Sequence, residues 1–253
     1  MFSKAIVRLP GQSMVKGLTT SRLGSPDYEK AFIQHQAYVQ ALKECGLEVT
    51  VMPADEEFPD STFVEDTALL TPHCAIIMNP GAPSRKDEIL KVKSTVSQFY
   101  TIIEEISDPG TVEAGDIMMV GNHYYIGISE RTNRNGAEQV IKILNNYGMT
   151  GSTIELKCVL HLKTGLAYIE NNNLIVSGEF TTNPAFDAFN KIQIPDNERY
   201  AANCIWINGT VIIPDGYPVT MQRIADLGYS VIEVNMSEFQ KLDGGLSCLS
   251  LRF

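Results

Sequence analysis

The chain has 253 residues, 44% of them hydrophobic and 20% charged, and its formal net charge is −10. This length and composition are typical of a soluble globular protein that buries a full hydrophobic core. The acidic balance, without a dense stripe of lysine and arginine, argues against a nucleic-acid partner, because phosphate binding requires a basic surface.

The amino terminus lacks the apolar run and the cleavage site of a signal peptide, and no stretch approaches the length of a membrane span. The five cysteines are scattered and include no Cys-x-x-Cys pair, so neither a disulfide framework nor a zinc site is indicated. We therefore expect a cytoplasmic protein with reduced thiols and without a membrane partner.

Short β-type segments alternate with helical patterns along the chain. The predicted strands cover residues 5–9, 47–52, 63–70, 75–78, 116–120, 124–128, 167–170, 174–177, 205–207, 210–213, 230–234 and 246–251. The predicted helices cover residues 28–44, 86–98, 137–147 and 219–227.

Four tight turns join neighbouring strands and predict hairpins. They are Thr71-Pro72-His73, Gly121-Asn122, Asn171-Asn172-Asn173 and Asn208-Gly209. These residue types accept tight reversal or positive φ. The unit of hairpin, helix and strand recurs every 36 to 50 residues or so, which favours a radial or solenoid array over a doubly wound sheet.

No linker or low-complexity segment divides the chain, so we predict a single domain over residues 1–253. If the array closes into a ring, the terminal strands that contain Arg8 and Cys248 are expected to be neighbours.

Cys248 lies on a predicted apolar strand that is entered through two glycines. Such a backbone is able to approach the floor of a cleft closely, with little bulk around the thiol. A cysteine is more commonly a small buried hydrophobe. The interpretation as a nucleophile therefore depends on other reactive groups in the chain.

His161 is the only one of four histidines on an apolar, strand-like run. A histidine in this setting is more commonly a core residue. With a thiol and a carboxylate nearby, it would instead serve as a general acid and base whose second nitrogen is held by an acid.

Acidic residues cluster around the start of the predicted strand at 63–70. Because side chains alternate along a strand, Glu65 and Asp66 are expected to point to opposite faces, one of them towards a cavity. The alternative is a strand edge with solvated acids. Two further acids, Glu113 and Asp116, flank a glycine before the next hairpin.

Two arginines, Arg85 and Arg131, lie in or next to turns. Such a pair is able to clamp a carboxylate by forked hydrogen bonds, although surface arginines are more common. The sequence has no His-Glu-x-x-His, glycine-rich phosphate loop or Gly-x-Ser-x-Gly motif, so metal, nucleotide and serine-hydrolase chemistry lack support.

As a set, these motifs resemble the dimethylarginine dimethylaminohydrolases, a branch of the guanidine-modifying enzymes of the pentein superfamily. The resemblance covers about residues 5 to 253 and rests on Phe63-Val64-Glu65-Asp66, Pro80-Gly81-Ala82-Pro83-Ser84-Arg85, Glu113-Ala114-Gly115-Asp116, Arg131-Thr132-Asn133, His161-Leu162-Lys163 and Asp243-Gly244-Gly245-Leu246-Ser247-Cys248. It implies an α/β fold, a five-bladed α/β propeller of pseudo-fivefold ββαβ repeats, with the site on its axis.

The resemblance also implies a reaction: cysteine-dependent hydrolysis of Nω-methylated L-arginine to L-citrulline and methylamine or dimethylamine, through a covalent thiouronium and without a cofactor or metal. Cys248 is the implied nucleophile, His161 the general acid and base, and Glu113 the acid that orients the imidazole, with Asp116 as a rival.

The substrate-binding residues that the resemblance implies are Leu18, Asp60, Glu65, Asp66, Arg85, Arg131 and Leu242. Among these, the acids would bind the guanidinium, the arginines the α-carboxylate, and the two leucine carbonyls the α-amine. The segment at 10–26, rich in Gly and Ser, is a candidate lid.

Alternative activities remain open. An arginine deiminase, an Nω-hydroxyarginine hydrolase or an amidinotransferase would use the same residues on a small cationic guanidino substrate. A ribosome-binding propeller protein is an alternative from a non-enzymatic class, but it has no reason to keep Cys248, His161 and a carboxylate together. A monomer and a homodimer are both compatible with the sequence.

Overall fold

The five-bladed α/β propeller consists of fifteen short strands and five helices, in a computed structural model that describes all residues from 1 to 253. The strands are β1 (Lys4–Arg8), β2 (Glu48–Met52), β3 (Ala68–Leu70), β4 (Ala75–Ile77), β5 (Ile103–Glu105), β6 (Ile117–Val120), β7 (His123–Ile128), β8 (Thr150–Glu155), β9 (Leu166–Tyr168), β10 (Asn173–Val176), β11 (Asn190–Gln193), β12 (Ile205–Ile207), β13 (Thr210–Pro214), β14 (Ser230–Val234) and β15 (Leu251–Arg252). The helices are α1 (Tyr28–Glu44), α2 (Ile89–Val96), α3 (Arg134–Asn146), α4 (Pro218–Ala225) and α5 (Ser237–Gln240). None of them has the length and apolar character that a membrane span requires.

Each blade is a three-stranded sheet that combines an antiparallel pair with a parallel pair. The strand orders are β15-β1-β2, β3-β4-β5, β6-β7-β8, β9-β10-β11 and β12-β13-β14. In four blades an α-helix leads from the middle strand to the parallel strand, since parallel neighbours require a crossover connection. In the fourth blade two short 3-10 turns, Gly178–Phe180 and Pro184–Phe186, take the place of the helix.

The two ends of the chain complete the first blade. Strand β15 pairs antiparallel with β1, with Ala5 opposite Arg252 and Ile6 opposite Leu251. Strand β2 pairs in parallel with the other edge of β1. The prediction that the terminal strands are neighbours is therefore confirmed, and this pairing closes the ring of blades.

All four predicted hairpins are present, as the antiparallel pairs β3–β4, β6–β7, β9–β10 and β12–β13. Asn208 and Gly209 have φ angles of 50° and 96°, as expected for a two-residue hairpin turn with positive φ at both positions. The sequence did not predict the outer strands β5, β8 and β11, because their side chains are mostly polar or partly exposed and show no apolar alternation.

Five hydrophobic clusters form the core, and each cluster lies between two neighbouring blades. Ile6 of the first blade, for example, packs in one cluster with Ile77 of the second, while Ala5 packs in another with Ile207 of the fifth. The apolar core therefore runs around the ring of blades, and the polar connections between the blades meet at its axis.

A 3-10 turn precedes the first strand of every blade. These turns cover Val64–Thr67, Ala114–Asp116, Leu162–Thr164, Asp196–Ala202 and Ser247–Leu249. The turn at Val64–Thr67 contacts those at Ser247–Leu249 and Ala114–Asp116, and the turn at Leu162–Thr164 contacts those at Ala114–Asp116 and Asp196–Ala202. Residues from distant parts of the chain thus meet at one end of the ring.

The predicted local structure around the reactive residues is wrong. Cys248 lies in a 3-10 turn rather than on a strand, and His161 is the N-cap of another such turn. The predicted strand at 63–70 also begins with a 3-10 turn, so that only Ala68–Leu70 is extended. In each case the connection turns towards the axis before its strand begins, and tertiary packing overrides the local apolar pattern.

Candidate active site

A cavity of about 160 Å³ at the axis brings together residues from four of the five connections. Nine of the ten residues implied by the resemblance line it. They are Leu18, Asp60, Asp66, Arg85, Glu113, Arg131, His161, Leu242 and Cys248. Leu18 belongs to the candidate lid segment, and two further residues of that segment, Thr19 and Thr20, also line the cavity.

His161 and Glu113 form a hydrogen-bonded pair beside the thiol. The imidazole Nε2 lies 2.9 Å from Glu113 Oε2, and both side chains are buried. The other oxygen of Glu113 accepts hydrogen bonds from the backbone N–H of Ala82 and from Arg131, at 3.1 and 3.4 Å. The carboxylate is therefore held from both sides and orients the ring.

Asp116 has a different role from Glu113. Its two oxygens accept hydrogen bonds from the Leu162 backbone N–H at 2.9 Å and from the Ser129 hydroxyl at 2.7 Å. Leu162 directly follows His161, so Asp116 holds the backbone of the loop rather than the imidazole ring.

The charges around His161 keep it protonated. Burial lowers the pKa of His161, but the carboxylates of Asp66, Asp116 and Glu113 outweigh burial and raise this pKa to about 9. Burial raises the pKa of Glu113, but the hydrogen bond and charge of His161 outweigh it and lower the pKa to about 2. At neutral pH the pair is an imidazolium and a carboxylate, and the ring has a proton to donate.

The thiol of Cys248 is protonated in the absence of a bound cation. Burial, together with the carboxylates of Glu65 and Asp66, raises the pKa of Cys248 to about 12. The N–H of Gly245 points at the sulfur from 3.4 Å and is a donor to a thiolate. The site therefore needs an additional positive charge to make Cys248 a nucleophile.

Arg85 uses most of its N–H donors in hydrogen bonds to neighbouring protein groups, chiefly carboxylates. Its Nε and Nη2 donate to Glu88 at distances between 2.9 and 3.1 Å, and its Nη1 donates to Asp66 at 2.6 Å. The Nη2 also donates to the carbonyl of Phe63 at 3.0 Å. Arg131 is freer, since 23% of its side chain is exposed and Glu113 is its one acidic partner. Sequence reasoning missed Glu88, which looks like an ordinary polar residue at the start of a helix.

Asp60 and Asp66 approach the cavity from the same connection. Asp60 accepts the backbone N–H of Leu18 at 2.9 Å, and burial raises its pKa. Asp66 accepts the backbone N–H of Gly115 at 3.0 Å. A Cβ at Gly115 would lie 2.7 Å from Asp66 Oδ1 and 2.9 Å from His161 Nδ1, so only glycine allows these two side chains to approach one another here.

Glu65 does not line this cavity. Its oxygens accept from Lys163 and Arg252 at 2.7 and 3.1 Å and from the Ser247 hydroxyl at 2.7 Å. Glu65 and Asp66 do diverge, but in a 3-10 turn, where successive side chains are rotated by about 120°. Glu65 is therefore bound by structural partners, whereas Asp66 faces the cavity.

Asp66, Glu113 and His161 offer ligand atoms that all lie within 4.8 Å of one another, so they are the residues most able to hold a metal ion. Arg85 and Gly115 already occupy the oxygens of Asp66, and the protonated imidazole occupies Glu113. A metal ion would have to displace these donors, whereas an organic cation that lies against Cys248 is able to use the second lone pair that each carboxylate oxygen retains.

A propeller whose blade connections place a cysteine, an imidazole and carboxylates in one axial cavity has the architecture of a guanidine-modifying enzyme. The family model described as eukaryotic N,N dimethylarginine dimethylhydrolase matches residues 24–185. A protein from Pseudomonas aeruginosa named N(G),N(G)-dimethylarginine dimethylaminohydrolase is 58% identical over 254 residues, with 100% of both chains covered. The chain belongs to the dimethylarginine dimethylaminohydrolase family.

Solved structures of relatives agree with this conclusion. The P. aeruginosa enzyme, as a cysteine-to-serine variant complexed with citrulline, has a TM-score of 0.99 at 57% identity, and 100% of each chain is covered. A dimethylarginine dimethylaminohydrolase with a histidine-to-glycine change, solved as an adduct with S-methyl-L-thiocitrulline, gives the same values.

Proposed function

We propose that this protein hydrolyses Nω-methylated L-arginine to L-citrulline and methylamine or dimethylamine, through a covalent thiouronium on Cys248. One observation carries the proposal: the thiol, the His161–Glu113 pair and the acids Asp60 and Asp66 line the same cavity. The family membership and the citrulline bound to the P. aeruginosa relative support the same reaction.

The cavity has a partner for each charged group of the substrate. Asp60 and Asp66 bind the planar guanidinium cation and hold its central carbon against the sulfur. Arg131, with the remaining donor of Arg85, binds the α-carboxylate. The backbone carbonyls of Leu18 and Leu242 accept the α-amine.

Substrate binding supplies the positive charge that Cys248 lacks. A guanidinium within a few ångströms favours the thiolate, and an opposite charge at this distance lowers a pKa by about 1 to 3 units. The thiol proton leaves to solvent as the cation binds. A guanidinium carbon is a poor electrophile, so its attack requires a strong nucleophile. Bound methylarginine thus helps to generate the thiolate that attacks it.

His161 moves the remaining protons. The sulfur attacks the central carbon, and the imidazolium donates its proton to the departing amine as the C–N bond breaks, which leaves the thiouronium. The neutral imidazole then takes a proton from water, and the resulting hydroxide attacks the same carbon. Collapse of this adduct breaks the C–S bond, its hydroxyl proton leaves to solvent, and citrulline and the Cys248 thiolate are released.

We further propose that residues 1–253 form a single cytoplasmic domain that acts as a monomer or homodimer. A core that runs between every pair of neighbouring blades supports one domain. The five free cysteines are typical of a reducing compartment. Every group required for the reaction comes from one chain, so the site does not depend on a partner.

A product assay tests the proposed reaction. Ureido product is measured with arginine, Nω-methylarginine, Nω,Nω-dimethylarginine and Nω-hydroxyarginine, each with and without an added amine acceptor. We expect the highest kcat/KM with a methylated substrate and no effect of the acceptor. Preference for arginine would indicate a deiminase, preference for the hydroxylated substrate a hydroxyarginine hydrolase, and transfer to the acceptor an amidinotransferase; each would refute the proposal.

A further inference from the structure

The fourth connection between blades contributes none of the substrate-binding or reactive residues, yet it places one buried amide beside them. The first connection supplies Asp60 and Asp66, the second Glu113, the third His161 and the fifth Cys248. Asn203 lies at the end of the fourth, directly after a 3-10 turn, and only 8% of its surface is exposed.

Asn203 forms two hydrogen bonds to the residue that precedes Cys248. The backbone N–H of Ser247 donates to Asn203 Oδ1 at 2.9 Å, and Asn203 Nδ2 donates to the Ser247 hydroxyl at 3.1 Å. This double contact holds both the backbone and the side chain of Ser247. The amide therefore supports the turn that carries the sulfur.

The same amide also holds the loop that carries the imidazole. Asn203 Nδ2 donates to the backbone carbonyl of Lys163 at 3.1 Å, and Lys163 is two residues after His161 in the chain. A single planar side chain thus bridges the loop of the acid and base and the turn of the nucleophile. Both N–H donors of the amide are used, so it has only one orientation that satisfies all its partners.

Glu65 completes a closed cycle of hydrogen bonds with Ser247, Asn203 and Lys163. One oxygen of Glu65 accepts the Ser247 hydroxyl at 2.7 Å, and the other accepts the Lys163 ammonium at 2.7 Å. Ser247, Asn203 and Lys163 are therefore connected twice, once through the amide and once through the carboxylate. Four of the five connections between blades each contribute one residue to this cycle of hydrogen bonds.

Gly245 connects the amide to the sulfur itself. Its N–H is the donor 3.4 Å from Cys248 Sγ. It does not adopt a positive φ, but an added Cβ would lie 2.6 Å from Asn203 Oδ1 and 2.8 Å from Nδ2. The absence of a side chain at Gly245 is thus required by the close packing of Asn203 on this backbone.

We propose that Asn203 is a positioning residue that fixes Cys248 relative to His161 and keeps the Gly245 N–H aimed at the sulfur. This inference rests on the proposed function, in which the two residues react together. Asn203 does not line the substrate cavity; it lines a neighbouring cavity of about 380 Å³ that shares Cys248 and His161 with it. Asn203 therefore acts through these residues and not through contact with the substrate.

The test compares Asn203→Ala with Asn173→Ala. Asn173 is equally buried, with 9% exposure, and is hydrogen-bonded to Tyr229 and Asn190 at the fourth blade. We expect Asn203→Ala to lower kcat by about 100-fold, because small misplacements of reacting groups have effects of this size, with KM within about threefold of wild type. Asn173→Ala should keep the wild-type kcat.

Alkylation of Cys248 by iodoacetamide, followed against pH without substrate, separates positioning from a loss of stability. Misalignment of the Gly245 N–H removes a donor from the thiolate, so the profile of Asn203→Ala should move to higher pH, while that of Asn173→Ala should not. An unchanged profile, an unchanged kcat, or a loss confined to KM would overturn the inference.

Gly245→Ala tests the same contact from the other side, even if Asn203→Ala is too unstable to assay. It should lower kcat and move the alkylation profile in the same direction, and in the Asn203→Ala background it should have little additional effect. Wild-type activity of Gly245→Ala, or additive losses, would contradict the inference. If wild type itself yields no ureido product, the proposed function fails, and the alkylation profiles still decide the role of Asn203.

Discussion

Glu113 and His161 are 48 residues apart and come from different blade connections, yet Glu113 Oε2 lies 2.9 Å from His161 Nε2. Burial lowers the pKa of His161, but the charges of Asp66 and Asp116, together with this contact, outweigh burial and raise the pKa to about 9. The leaving amine requires the protonated ring, so activity should be lost as the pH rises through this pKa.

Glu113→Gln should move that loss to lower pH. Without the Glu113 charge, the pKa of His161 falls, and the ring loses its proton earlier as the pH rises. We also expect kcat at neutral pH to fall by about 10- to 100-fold, a part of what general acid–base catalysis contributes. The measurement is the pH profile of kcat, with Glu105→Gln, a surface residue paired with Lys93, as control. An alkaline limb at the wild-type pH would contradict the role of Glu113.

Cys248→Ser should abolish turnover, because a serine hydroxyl is a far weaker nucleophile towards a guanidinium carbon. Cys158→Ser is a matched control, since Cys158 is the only cysteine that is exposed in the structure and it should remain active. Citrulline formation is measured for both proteins at equal concentration. Normal activity of Cys248→Ser would end the covalent mechanism.

His161→Ala should separate the two halves of the reaction. With S-methyl-L-thiocitrulline, whose thiolate leaving group needs no proton, we expect the covalent adduct on Cys248 to form and accumulate, because no base remains to activate water. With Nω-methylarginine, no adduct should form. Intact-protein mass spectrometry detects the adduct, and the double change His161→Ala with Cys248→Ser is the control. Absence of the adduct with both substrates would argue against the role of His161.

His35 should make the fold less stable in mild acid. Burial lowers the pKa of His35 to about 4, against a weaker opposing effect of the Arg8 backbone. The unfolded chain binds the proton near pH 6.5, so the stabilisation is complete above pH 6.5 and is lost as the pH falls towards 4. Linkage gives a loss of about 2 kcal/mol between pH 8 and pH 5 from this one group.

Urea unfolding at pH 8 and pH 5 measures this effect. His35→Phe, next to the ring of Phe239, should reduce the difference in unfolding free energy between the two pH values by roughly that amount. His73→Phe, at an exposed position, should leave it unchanged. An equal pH dependence in wild type and His35→Phe would show that His35 is not the titrating group.

The hairpins were predictable from the sequence because their signals are local, whereas the pairing of the terminal strands was predicted only on the condition that the repeat closes into a ring. Asn208 and Gly209 accept positive φ in any context, and the apolar terminal strands had to pair if the repeat closed. The local structure of Cys248 and His161 was not predictable, since apolar neighbours are equally compatible with a strand and with a short turn at the axis.

Nine of the residues that the family motifs singled out line one cavity, but the motifs did not distinguish the surroundings of Glu65 from those of Asp66. The direction of each side chain depends on the 3-10 turn and on partners such as Lys163 and Arg252, which are distant in sequence. Glu88 and Asn203 carry no motif of their own, so only their contacts with Arg85 and Ser247 reveal them.

By itself, the sequence determined the repeat and the turns, since these follow from residue types and their spacing, and its motifs singled out the candidate reactive groups through a family resemblance. Only the tertiary structure decided which carboxylate holds the imidazole, why the thiol stays protonated and which amide joins Cys248 to the loop of His161. The physical reason is that pKa values and orientation depend on burial and on charges a few ångströms away, which the ring of blades brings together from connections far apart in the chain.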